Sequence, residues 1–214
     1  MNTTPTWVAL VGNPRPASRT AALAAAVLDA VATSTSPTPG TPRALAGLRP
    51  SGYGESGNGD VGGADHHVID LGAWLADHGA PLGAGSAQRY AEPLSQLRNA
   101  ALAVIATPVY KGSYPGLLKA FLDHIPAGAL RGVVAVPVIT IGSQAHTLAG
   151  DLHLRPLLLE LGASIPTATL VVEEAHLTAP TPLIKAWLDH ATGPLRQAVQ
   201  PLSPTATGAH HAQS

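Results

Sequence analysis

Cysteine is missing from all 214 residues, which excludes disulfides, thiolate metal sites and cysteine nucleophiles and is compatible with a reducing compartment. Charge is scarce as well. Lys and Arg number 12 against 13 Asp and Glu, a net charge of −1, so nothing suggests the clustered positive field that nucleic acid requires. No run approaches the roughly 18 apolar residues of a membrane span, and the opening "MNTTPTW" has neither a basic start nor an apolar core. The expectation is a cytoplasmic protein with no nucleic-acid and no membrane partner. Two catalytic signatures are also missing: G-x-x-x-x-G-K-[ST] of a nucleotide-hydrolysing phosphate loop, and G-x-S-x-G of a hydrolase nucleophile elbow. Ten histidines invite a metal. His66–His67 and His210–His211 are adjacent pairs, however, and His146 and His153 lie seven apart, so no metal site is expected.

What is present is apolar: 45% of residues, enough for one full core at this length. "TWVALVG" (Thr6 to Gly12) reads as a buried strand, followed by the polar turn "NPRPASRT" and a helix in which Leu23, Val27, Leu28 and Val31 recur at helical spacing among alanines. The segment from Thr33 to Asp65 shifts to Ser, Thr, Pro and Gly, and is expected to be a flexible surface insertion. Its two formal G-x-G-x-x-G matches, Gly52 to Gly57 and Gly57 to Gly62, neither follow a strand nor open a helix and are compositional accidents. Further strands read at His66 to Leu71, at "LAVIATPVY", at Gly132 to Gly142 and at Ala168 to Ala175. Helices are expected at Ser86 to Ala100, after Pro115, from Ser143 to Gly162 with a kink or restart at Pro156, and from Thr181 to Val199. Residues 1–200 then form one domain and 201–214 a disordered tail.

Five apolar strands alternating with five helices demand a parallel sheet covered on both faces by right-handed crossovers. Five strands favour a doubly wound, flavodoxin-like α/β fold of order 2-1-3-4-5, whose ligands bind beyond the carboxyl ends of the strands where the order reverses. The loops leaving the first and third strands carry the unusual residues. "NPRPASRT" joins a strand to a helix N-terminus, where free amides and the helix dipole favour an anion. Arg15 and Arg19 add guanidinium forks there, and Ser18 and Thr20 add hydroxyls. The same residues also read as an ordinary turn with Ser18 as a helix cap. "PVYKGSY" offers Tyr110 and Tyr114 as ring platforms, with Gly112 permitting close backbone approach and Lys111 available to an anion, or else a surface loop filling a subunit contact. "GSQAH" places Gly142, Ser143, Gln144 and His146 at the same edge, as donors or as a helix start.

Four motifs together resemble the NADPH-dependent FMN reductases, closest to those of alkanesulfonate systems. "GNPRPASRT" (Gly12 to Thr20) is similar to G-S-P-R-x-x-S-R-[ST], with Asn13 in place of the serine. Thr107 to Lys119 follows T-P-V-Y-K-x-x-Y-x-G-x-L-K without a gap, and "GSQAH" and "RPLLLEL" also have counterparts. The resemblance implies an FMN phosphate on Arg15, Ser18, Arg19 and Thr20, with an amide donor at Asn13. It places the flavin ring against Pro108, Val109, Tyr110 and Lys111 and against Gly142 and Ser143, with His146 in the same turn and Tyr114 near flavin and subunit contact. It implies NADPH or NADH as hydride donor to flavin N5, no protein acid or base, and a homodimer or homotetramer. A flavin-dependent monooxygenase is the partner such an enzyme would supply. Two rivals share these loops: an FMN-containing quinone, azo or metal-ion reductase working by ping-pong, and a non-catalytic flavodoxin-like carrier.

Overall fold

A computed structural model of the chain describes residues 6–35, 65–83 and 85–199. Five strands, β1 (Thr6–Val11), β2 (Asp65–Asp70), β3 (Leu102–Pro108), β4 (Val134–Ile141) and β5 (Leu170–Glu173), form one sheet in the order β2-β1-β3-β4-β5. Every pairing is parallel, with Trp7 opposite both His66 and Leu102, and Leu102 opposite Val134. This is the expected flavodoxin-like order. β3 and β4 are buried at every position, because helices cover both faces and no side of a central strand meets water.

The period of two along a strand divides the core. Val8 and Leu10 of β1 pack with Ile105, Tyr90, Leu118, Phe121 and Leu158 on one face. Trp7, Ala9 and Val11 pack with Leu23, Val27, Val31, Val104, Val138 and Leu195 on the other. The second face is covered by α1 (Arg19–Thr35) and α7 (Thr181–Val199), which lie against each other. The first is covered by α4 (Ala91–Arg98), α5 (Gly116–Leu122) and α6 (Arg155–Glu160), with the short α2 (Leu71–His78) and α3 (Ser86–Arg89) beside them. The chain's single Phe, Phe121, meets the fully buried Tyr90 edge-on at 5.7 Å.

Five expectations need correction. α2 had no counterpart in the periodicity; Asp70 starts it by accepting the Gly72 amide, so the helix begins directly at the strand end. The helix expected over Ser86 to Ala100 is broken at Tyr90, because Pro93 has no N–H to offer the Arg89 carbonyl. β3 stops at Pro108, two residues short of Tyr110, which instead bridges to Ser113 within a turn. The stretch after β4 is not one helix but a single turn at Gln144–His146, a π-helical turn at Gly150–Leu154, and then α6 restarting with Pro156 in its first turn.

Thr33 to Thr35 and Asp65, expected in the insertion, instead belong to α1 and β2. α1 runs on to Thr35, and Arg196 of α7 donates to the Ser34 carbonyl at 2.9 and 2.6 Å, closing the helix end. The remainder of that insertion, both G-x-G-x-x-G matches and the tail 201–214 lie outside the described residues.

Candidate functional site

The loop after β1 is held in place mainly by side chains. Gly12 extends the ladder by donating to the Ala106 carbonyl at 2.8 Å, and a Cβ there would meet Leu118 at 2.8 Å, so glycine lets α5 close against the loop. The Arg15 amide donates to Asn13 Oδ1 at 3.0 Å, making a side-chain turn. Ala17 follows with φ of 52°, a conformation alanine adopts only under constraint. The constraint is Asp70, whose Oδ2 accepts the Ala17 amide at 3.1 Å while Oδ1 accepts that of Gly72 at 2.9 Å. Burial pushes the Asp70 carboxyl above its ordinary value, and the amides of Ala17, Gly72 and Ala73 oppose that shift. Gly72 is needed for closeness: a Cβ there would stand 2.7 Å from Arg15 C and Pro16 N and 2.8 Å from Asn13 O.

Ser18 then caps α1, with its Oγ accepting the Ala21 amide at 3.2 Å and its carbonyl accepting those of Ala21 and Ala22. The amides of Ser18, Arg19 and Thr20 precede any intrahelical acceptor and have no acceptor among the described residues. Below them runs a buried polar chain. Asn13 Nδ2 donates to Thr20 Oγ1 at 3.2 Å, and Thr20 Oγ1 meets Thr140 Oγ1 of β4 at 3.3 Å. Asn13 and Thr20 thus tie the loop to the sheet from beneath. Arg15 is exposed at the loop's outer edge.

The loop after β3 is built differently. The Val109 amide donates to the Thr140 carbonyl at 2.9 Å, keeping the exit of β3 on β4. Tyr110 and Ser113 then exchange backbone hydrogen bonds of 2.7 and 3.1 Å around Lys111 (φ 53°) and Gly112 (φ 83°). Two successive positive φ values define a tight hairpin turn of the primed type, which glycine favours and lysine resists. Pro108 is buried, Tyr110 is 42% exposed, and Tyr114 is half-buried against the core. The loop after β4 carries exposed Gly142 and Ser143, with Ser143 Oγ accepting the Ala145 amide at 3.3 Å and His146 half-buried in the following turn.

The strand order sets the loops of β1, β3 and β4 side by side at the carboxyl edge of the sheet. Arg15, Ser18 and Arg19 stand at the first, Pro108 to Lys111 at the second, Gly142, Ser143 and His146 at the third. Arg19 reaches further, to Glu174 just after β5: its Nη2 lies 3.1 Å from Glu174 Oε2, and its Nη1 donates to the Glu174 carbonyl at 3.3 Å. Gln144 is bound in turn by Glu173 Oε1. Asp70, Gly72, Thr140, Glu173 and Glu174 were absent from the sequence-derived site. A signal was available: "VID-LG" and "VVEE" both place acids where a parallel strand ends.

The sequence pattern of the NADPH-dependent FMN reductases matches residues 5–177. The chain belongs to this family. Among curated members, the FMN reductase (NADPH) of Escherichia coli is 38% identical over 110 residues, 49% of this chain and 58% of that protein. That of Pseudomonas aeruginosa is 41% identical over 98 residues, 44% of this chain and 50% of that protein. The NADH-dependent FMN reductase SfnF of Pseudomonas fluorescens is 39% identical over 98 residues, with the same two shares. The chain therefore spans about half the length of the curated family members it matches. Among solved structures, the apo form of the NADH:FMN oxidoreductase EMOB is 30% identical, with a TM-score of 0.59 over 92% of this chain and 87% of that one. An oxidoreductase from Corynebacterium diphtheriae, 22% identical with a TM-score of 0.64 over 92% and 98%, shares the fold. No described helix is long and apolar enough to cross a membrane.

Proposed function

We propose that this FMN reductase family member oxidises NADPH or NADH and delivers the hydride to FMN. The observation that carries the reading is the row of acceptor-free amides at Ser18, Arg19 and Thr20, one loop away from an exposed aromatic turn. A phosphate suits the first feature, since helix-start amides donate to anions and the dipole favours negative charge. A flat ring suits the second. When bound, FMN supplies a ring able to accept a hydride from reduced nicotinamide.

The residues divide the work of binding and orienting. Arg15, Ser18 and Arg19, with the three amides, take the phosphate, while Asn13 and Thr20 keep those amides in place from beneath. Pro108, Val109, Tyr110 and Lys111 take one side of the ring, with Tyr114 anchoring their turn to the core. Gly142, Ser143 and His146 border the ring from β4. Holding two reactants in register is the protein's main contribution, so no acid or base is assigned. We also place residues 1–200 in one domain, in the cytoplasm, as a homodimer or homotetramer that supplies reduced flavin to a monooxygenase.

Titration of FMN with purified protein, followed by flavin fluorescence, is expected to show saturable quenching, with NADPH or NADH oxidation dependent on added FMN. Absence of both at high protein concentration overturns the reading. Isolation of a yellow protein that reduces quinones without added flavin favours the ping-pong reductase instead.

A further inference from the structure

Arg19 is the one proposed phosphate ligand with a carboxylate partner among the described residues, and that partner reaches the ring side of the site as well. Glu174 binds the Arg19 guanidinium through Oε2 and through its carbonyl. Its other carboxylate oxygen, Oε1, lies 4.0 Å from where a Cβ of Gly142 would stand. Glu174 therefore sits between the phosphate loop and the fourth-strand loop, in contact range of both. An anion approaching the start of α1 finds Arg19 already committed and a negative charge beside it.

We propose that Glu174 sets how loosely this chain holds FMN, by competing with the flavin phosphate for Arg19. The inference rests on the FMN-reductase reading and deepens it, because an enzyme that hands flavin on must let it go. The competition is gentle by construction. Both partners are more than half exposed, 59% and 54%, and exposed pairs of this kind are weak and readily exchanged. Glu174 acts through Arg19, which makes it a positioning residue with no part in hydride movement.

The test compares Glu174→Gln with the parent protein, using FMN and riboflavin as probes. Riboflavin has the same ring and lacks the phosphate. Glu174→Gln is expected to tighten FMN by about three- to fivefold, mostly through a slower off-rate, with riboflavin affinity within about twofold. Raising the salt to 1 M is expected to shrink the difference, as screening shortens to about 3 Å. In an Arg19→Gln background, Glu174→Gln is expected to lose most of its effect, as a shared interaction requires. Equal or weaker FMN binding by Glu174→Gln, an equal gain for riboflavin, or an undiminished gain in the Arg19→Gln background overturns the proposal while the FMN-reductase reading stands. If the parent protein fails to bind FMN at all, both fall.

Discussion

The loops after β1 and β3 leave neighbouring strands at the same edge, yet they are stabilised in opposite ways. The first is gripped from elsewhere: by the Asp70 carboxylate at the adjacent strand end, by the close backbone approach that Gly72 in α2 permits, and by the Thr140 hydroxyl of β4, with Asn13 and Thr20 buried between. The second closes on its own backbone, through the Tyr110–Ser113 exchange, and leaves the Tyr110 side chain exposed. A loop meant to present amides must fix its backbone with partners other than those amides. A loop meant to present rings can spend its amides on a turn and keep the side chains free. The first loop therefore responds to changes in its supports and the second to changes in its own φ angles.

Gly72→Ala is expected to have the largest effect. A methyl would stand within 2.8 Å of three backbone atoms of the first loop, and backbone cannot rotate away as a side chain can. Overpacking of this kind costs up to about 3 kcal/mol, roughly a hundredfold in FMN affinity, with a much smaller loss for riboflavin. Parallel fluorescence titrations measure both.

Asp70→Asn should come next. An amide offers one acceptor oxygen where the carboxylate offers two, so the Ala17 or Gly72 amide faces a donor, at about 1–3 kcal/mol. The pH dependence has a definite sign. Because burial raises the folded value of this carboxyl above 3.8, the folded state takes up the proton first. The stability contributed by Asp70 is then greatest below the unfolded value and is lost as pH rises through the folded one. Thermal melts from acid to neutral pH are expected to show that component in the parent and not in Asp70→Asn.

Gly112→Ala probes the other loop. Space at that position is open, so the cost is only the positive φ of 83°, about 1–2 kcal/mol. Because the turn serves the ring, FMN and riboflavin affinities should fall by the same factor. Smallest is Thr140→Val, which ends the buried chain under the first loop for about 1 kcal/mol. Despite its position on β4, it should weaken FMN more than riboflavin. Equal losses there would remove the distinction between the loops.

The sequence was most legible where one local rule sufficed. Short apolar runs marked all five strands, and their alternation with helices implied the 2-1-3-4-5 order. Thr181–Val199 reads as one helix from its apolar spacing, and it is one despite Pro194. Misreadings came where two signals met. Pro93 lay inside a helical pattern and prevailed over it, while Tyr110 looked like strand until its turn withdrew it. The supports of the site were illegible for another reason. Asp70 and Glu174 lie 53 and 155 positions from the residues they hold, and no spacing rule spans such distances.

Periodicity and composition therefore determined on their own which segments are strands and at which edge loops gather, since runs apolar at every position require a sheet covered on both faces. Which amides stay free, and which carboxylate claims Arg19, only the folded chain decided. Those outcomes depend on distances between segments, and distances exist only once crossovers have brought strand ends together.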